Sequence, residues 1–208
     1  PLFIFMGIML DRSGIAERLM NSLVRVLGGL RGGYAVTVVI VGVLLAASTG
    51  IVGASVVLLG MLSLGPMMRA QYNKSLAVGT ACSVGTLGIL VPPSIMLVLM
   101  ADRLGTSEAS VGRLFMGALI PGIMLGVMYI AYIVIAAYIK KDLAPAPENR
   151  QPLNARALLE VLIAVLPPLA LIVAVLGSIF TGFATTTEAS AVGALGAVLL
   201  ALFNRRLN

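Results

Sequence analysis

The chain has 208 residues, 60% of them apolar and 11% charged, with a mean hydropathy of +1.08; soluble domains carry roughly 45 to 50% apolar and about 25% charged residues, so a water-soluble globule is excluded. The formal net charge of +6 does not mark a nucleic-acid binder, because the basic residues stand at the ends of apolar runs and not in a patch interleaved with aromatics. With no His and a single Cys, Cys82, inside an apolar run, the sequence offers no disulfide framework, no zinc or haem ligand set and no Cys–His nucleophile.

The unit to count is the membrane span of about 20 apolar residues, and five or six fit. The chain opens at Pro1 inside an apolar run with no charged segment before it, which reads as the continuation of a longer chain. Residues 2–10 (LFIFMGIML) read as the last turns of a spanning helix, since this short run covers only about 14 Å of a roughly 30 Å hydrocarbon layer. From Asp11 to Leu30 apolar residues recur at helical spacing (Ile15, Leu19, Leu23, Val26, Leu27, Leu30), with Glu17, Arg18 and Arg25 off that stripe. That pattern predicts an amphipathic helix at the membrane interface. Residues 1–32 are thus the end of a scaffold helix followed by an interfacial arm.

Residues 33–67 carry no charge. The run divides at Ala46-Ala47-Ser48-Thr49-Gly50, where Ser, Thr and Gly favour a break, leaving arms of about 13 or 14 residues over Tyr34–Ala47 and Val52–Leu64, too short to span comfortably. Arg12, Arg18, Arg25 and Arg31 precede the arms, and Arg69 and Lys74 follow them. The positive-inside rule therefore places both ends on the cytoplasmic side, and residues 33–68 read as a re-entrant hairpin. Two short complete spans in a thinned bilayer give the same charge pattern; the arm length favours the hairpin.

The next run, within residues 69–113, is interrupted by Gly85-Thr86-Leu87-Gly88 and by Pro92-Pro93. Proline removes a donor and pushes its predecessor to extended geometry, so this span breaks near Val91. Residues 114–156 read as a return span to Ile139 and a cytoplasmic loop with Pro145, Pro147 and Pro152. Residues 157–208 read as two further scaffold spans. The turn between them holds Thr185, Thr186, Thr187 and Glu188, where Glu188 fits a helix cap. On this topology twelve Lys and Arg lie on the cytoplasmic side against two, Arg103 and Arg113, on the other.

Irregular backbone at membrane depth is tolerated only where protein buries it or a cavity receives it, so two breaks point to one polar site. The tip offers the hydroxyls and carbonyls of Ser48, Thr49 and Gly50, with Ser55 one turn on. The broken span offers Ser83, Gly85, Thr86 and the carbonyls around Val91. Neutral oxygens of this kind suit a hard cation such as sodium, and helix N-termini suit a carboxylate. Any one of these residues also fits ordinary helix packing; as two grouped units they fit a site. No acidic residue interrupts an apolar run, against a carboxylate proton relay. No intramembrane acid, His or activated nucleophile points to an enzyme. A non-catalytic scaffold or assembly subunit is the alternative, and it leaves the two breaks without purpose.

The run Gly85-Thr86-Leu87-Gly88-Ile89-Leu90-Val91-Pro92-Pro93-Ser94, with Ala47-Ser48-Thr49-Gly50 upstream and Thr186-Thr187-Glu188-Ala189 downstream, closely resembles the large membrane subunit of tripartite ATP-independent periplasmic (TRAP) transporters, over essentially the whole chain. The resemblance implies an all-α polytopic membrane protein of the ion transporter superfamily in the bacterial inner (cytoplasmic) membrane, with a re-entrant helical hairpin, a discontinuous transmembrane helix and an elevator-type mechanism. It implies sodium-coupled uptake of a small organic acid handed over by a periplasmic binding protein, with a small membrane subunit bracing the scaffold and no cofactor besides Na+ as the coupling ion. By position, Thr49, Gly50, Ser83, Gly85 and Thr86 become sodium candidates, and Ser48, Thr49, Gly50 and Ser55 substrate contacts. Ile51-Val52-Gly53 is less polar than the family pattern just beyond the tip. The family's second hairpin and second broken helix have no counterpart here, so the chain corresponds to the first of two inverted repeats and the start of the next.

Overall fold

The computed structural model describes residues 2–50, 52–105, 110–140, 142–145 and 155–204, without the side chains at positions 11, 47–49, 155 and 156. Every regular element among them is an α-helix, as expected of apolar sequence that must satisfy its own N–H and C=O groups in lipid. Most of the loop expected over Lys140–Arg156, and the closing Arg205–Arg206 pair, lie outside the described residues.

Helix α1 (Leu2–Arg12) and helix α2 (Ile15–Leu27) meet at a corner that helical spacing alone does not reveal. Gly14 supplies the turn at φ +71°. The buried Ser13 hydroxyl donates to the Leu10 carbonyl at 2.6 Å and accepts the Ile15 N–H at 3.3 Å. The apolar stripe of α2 is buried in protein: Ile15, Leu19 and Leu23 join the main core with residues of α1 and α3. Its polar face turns outward, where Arg25 pairs with Glu160 at 3.0 Å, both side chains more than half exposed.

Helix α3 (Gly33–Thr49) is the axis of the molecule, touching α1, α2, the first two helices of the broken span and two of the long helices that follow. It is apolar all round, as a helix buried on all sides must be. Ala35, Val38, Val39 and Val41 are fully buried, and Thr37 satisfies its hydroxyl on the Gly33 carbonyl at 2.9 Å. Helix α4 (Val52–Arg69) returns beside it. The two arms have 17 and 18 residues, longer than the charge-free run predicts. Pro66 lies in the last turn of α4, where it removes one N–H bond and crowds the carbonyl four residues back, yet the Ala70 N–H still reaches the Pro66 carbonyl at 3.0 Å. Arm length therefore does not decide between a hairpin and a crossing.

The broken span consists of α5 (Lys74–Gly85), the single turn α6 (Leu87–Leu90) and α7 (Ile95–Leu104). Its main break falls where the proline pair predicts: Val91 and Ser94 are extended, with ψ of 117° and 131°, and residues 91–94 are all buried. Tyr72, in the turn before α5, closes the base of the α3–α4 pair. Its oxygen accepts the Tyr34 N–H at 3.3 Å, and the two rings stack edge-on with centroids 6.0 Å apart. The neighbouring Asn73 N–H reaches the Leu143 carbonyl at 3.0 Å, tying the same turn to the segment after the next helix.

Helix α8 (Val111–Ile139) lies across α3, α6 and α7, while α9 (Ala155–Phe180) and α10 (Thr186–Phe203) pack with α1 and α2. Large apolar side chains such as Ile120, Tyr132, Leu162 and Leu199 point outward from these helices, the pattern of lipid-facing surface. Glu188 is a cap, as its position predicts. The Thr185 hydroxyl accepts the Glu188 N–H at 3.3 Å, and the Glu188 carboxylate accepts the Thr185 N–H at 2.8 Å. Among the described residues five segments are long and apolar enough to cross a membrane: α4, the α5–α7 run, α8, α9 and α10. The chain is a polytopic membrane protein.

Candidate functional site

The tip of the α3–α4 pair and the break of the α5–α7 span meet. Gly50 ends α3 in the left-handed conformation at φ +59°, and a Cβ placed there stands 2.8 Å from the Ile95 nitrogen and 3.3 Å from the Ser94 Cα. Only glycine lets the two backbones come this close. At the residues before the break, a Cβ at Gly122 of α8 stands 3.4 Å from the Leu90 carbonyl carbon and oxygen. The broken backbone is thus enclosed by the backbones of two other helices, which is the condition for irregular structure at membrane depth.

Four helix ends converge on this contact. Helices α3 and α6 end near it and α4 and α7 begin near it, and the last carbonyls and first N–H groups of a helix lack intrahelical partners. The first pair carries the negative ends of helix dipoles and the second the positive ends. Chain order thus brings helix ends of both signs into the neighbourhood of this contact. Ser94 stands at the centre. The residue is 1% exposed, it does not cap α7 although it holds the N-cap position, and among the described residues its hydroxyl has no hydrogen-bond partner. A buried orphan hydroxyl costs about 1 to 3 kcal/mol, and a third species at the contact would relieve that cost.

The remaining candidates fall into two groups. Gly85 lies one turn below the tip: a Cβ there meets Val56 at 2.2 Å from its side chain and 2.9 Å from its Cα, so glycine is what lets α5 approach the start of α4. Ser55 is buried on that same turn of α4. Ser83 and Thr86 instead face the exposed side of α5, where the Thr86 hydroxyl donates to the Ser83 carbonyl at 2.7 Å. The Ser48 and Thr49 side chains lie outside the described residues; their backbones form the last turn of α3. Ser94 and Gly122 are the residues that sequence reasoning passed over. The sequence signal for Ser94 was present, a polar residue directly after a helix-breaking proline pair. Among the described residues no group of three His, Cys, Asp or Glu side chains is placed to hold a metal.

The sequence profile described as tripartite ATP-independent periplasmic transporter, DctM component, matches residues 1–208. The chain is similar to the C4-dicarboxylate TRAP transporter large permease protein DctM of Pseudomonas aeruginosa, with 37% identity over 98% of this chain and 46% of that protein. It is similar to the protein of the same name from Vibrio cholerae, with 36% identity over 98% of this chain and 43% of that one. Similarity extends to the isethionate TRAP transporter permease protein DctMQ of Oleidesulfovibrio alaskensis, 30% identical over 99% of this chain and 31% of that protein. The chain spans less than half the length of these relatives.

Proposed function

This chain belongs to the DctM-component family of tripartite ATP-independent periplasmic transporters, and from that premise we propose that it forms the first half of a sodium-coupled importer of small organic acids in the bacterial inner membrane. The observation that carries the proposal is the buried contact of Gly50 with Ser94 and Ile95, where an orphan hydroxyl joins carbonyl-bearing and amide-bearing helix ends. The carbonyl ends and Ser94 hold the ion, with Gly85 one turn away, whereas Ser83 and Thr86 lie on the exposed side of α5. The amide ends of α4 and α7 face the carboxylate of the substrate. Relatives named for C4-dicarboxylates and for isethionate support a small organic anion as cargo.

In this reading α3 and α4 form a re-entrant hairpin. Two observations support it: cationic residues flank both of its ends on one side, and α7 carries the broken span ten residues, about 15 Å, past the point that the tip touches. The hairpin, the broken span and α8 belong to an elevator-type moving body, and α1, α2, α9 and α10 to the scaffold. A periplasmic binding protein delivers the substrate and a small membrane subunit braces the scaffold; the fused name DctMQ of one relative is in keeping with such a partnership. The test is uptake by the full-length protein with its partners in proteoliposomes, using labelled C4-dicarboxylates and isethionate. Uptake that follows an inward sodium gradient supports the proposal, and equal uptake in its absence overturns it.

A further inference from the structure

A cavity of about 490 Å3 lies between helix α2, the start of α9, the end of α10 and the α1–α2 corner. Helix α2 supplies Glu17, Arg18, Asn21 and Arg25, positions that recur every three or four residues and so share one face. It is the polar face of a helix whose apolar stripe is buried in the core. Helix α9 supplies Glu160 from its second turn, with Ile163 and Ala164 one turn deeper. Asn204, directly after α10, joins the wall while its amide donates to the Ser13 carbonyl at 3.3 Å. The helix ends that frame the cavity border the cation-bearing segments Lys140–Arg156 before α9 and Arg205–Arg206 after α10. The positive-inside rule therefore sets it at the cytoplasmic surface of the membrane.

Among the described residues the walls carry two cations and two anions, Arg18 and Arg25 against Glu17 and Glu160. Arg25 is matched by Glu160 at 3.0 Å, whereas Arg18 forms no ion pair among the described residues. Its guanidinium is a planar fork of donors suited to a phosphate, and the Asn21 and Asn204 amides add neutral donors. The Glu17 and Glu160 carboxylates suit an ammonium group with several N–H donors. A ligand bearing both charges satisfies both kinds of wall, while a purely anionic one sets like charge against the two carboxylates. The apolar rim identifies the source. Ile163 lines the cavity yet is 59% exposed, and Leu159 and Leu166 continue its stripe along the outward side of α9. Acyl chains match that stripe, and a water-soluble amine phosphate has no use for it. We propose that the cavity seats the headgroup of a phosphatidylethanolamine of the cytoplasmic leaflet, which bridges the α2 arm to α9 and α10 with its chains along Ile163. Phosphatidylcholine fits less well, because its quaternary ammonium has no N–H to give the carboxylates. The inference is independent of the sodium reading.

The experiment uses the full-length protein with its membrane partner in detergent. Dioleoyl phosphatidylethanolamine, phosphatidylcholine or phosphatidylglycerol, or soluble glycerophosphoethanolamine, is added at one molar ratio. The readouts are the melting temperature and the lipid retained in native mass spectrometry. The expected result is a melting temperature about 4 °C or more higher with phosphatidylethanolamine than with the other three, together with retention of that lipid. Arg18→Gln should abolish the difference and lower retention. Glu17→Gln, which leaves the walls with an excess cation, should turn the preference to phosphatidylglycerol. Both side chains are exposed, so these variants fold. Lys74→Gln removes a cation outside the cavity and should change neither readout. Equal responses to the three lipids, an equal response to soluble glycerophosphoethanolamine, or an Arg18→Gln variant that keeps the preference overturns the proposal. So does a complex that retains no phosphatidylethanolamine, the outcome expected if another part of the full-length protein fills the cavity.

Discussion

Ser94 separates a residue that serves the fold from one that serves a ligand. A hydroxyl buried without a partner destabilises its own structure by about 1 to 3 kcal/mol, so removing it is not expected to harm the fold. Ser94→Ala should therefore leave the melting temperature unchanged or higher by a few degrees while lowering uptake at least tenfold. A melting curve and an initial-rate assay on one preparation check both halves. Gly85 predicts the opposite pattern. Its hypothetical Cβ strikes the Val56 side chain at 2.2 Å and the Val56 Cα at 2.9 Å. Gly85→Ala should thus lower stability by about 1 to 3 kcal/mol, the usual range for overpacking, and Val56→Ala should restore only part of that loss because a backbone contact remains. Full restoration in a thermal-shift measurement would show that the side chain alone sets the spacing. The tip and the broken span were both legible in the sequence, because Ser, Thr, Gly and Pro announce breaks by their backbone chemistry. What the sequence could not show is which atoms are left without partners once the two breaks pack together, and so Ser94 stayed hidden inside a motif read for its prolines.

At the scale of elements, the proline pairs show the limit of local reasoning. Pro92–Pro93 interrupts its span, whereas Pro167–Pro168 sits inside the continuous helix α9. The difference lies in the neighbours: Gly50 and Gly122 bring two backbones against the residues on either side of the first pair, and freed polar groups in lipid need such cover. The α2 stripe was legible as amphipathic, but whether its apolar face meets lipid or protein depends on partners far away in sequence, and it is protein that buries it. Exposed Arg25 and Glu160 contribute little by comparison. Arg25→Gln should change stability by less than about 1 kcal/mol, as judged by denaturation at low and high salt.

Tyr72 gives the elements a pH signature. Burial pushes its pKa up from 10.0 to about 12, against the N–H groups of Tyr34 and Gly32 that favour its phenolate. A folded-state value above the unfolded one contributes stability that is complete below pH 10 and is lost as pH rises from about 10 to about 12. The melting temperature of the wild type should fall across that window. Tyr72→Phe should flatten the fall while lowering stability at neutral pH by about 1 kcal/mol, since the Tyr34 N–H loses its acceptor.

At the scale of the whole molecule, composition and charge placement were enough to read an all-helical polytopic membrane protein, because lipid leaves the backbone few alternatives. The depth of the hairpin was less legible. Its arms prove several residues longer than the charge-free run predicts, so the re-entrant reading now rests on flanking charge and on the point where the tip meets the broken span. The central claim is that tip and break form one ion site, and the sodium concentration that half-activates uptake by the full-length protein tests it most directly. Ser94→Ala should raise that concentration at least tenfold, while Met124→Leu, on the exposed face of α8, leaves it unchanged; two superimposable activation curves would contradict the account.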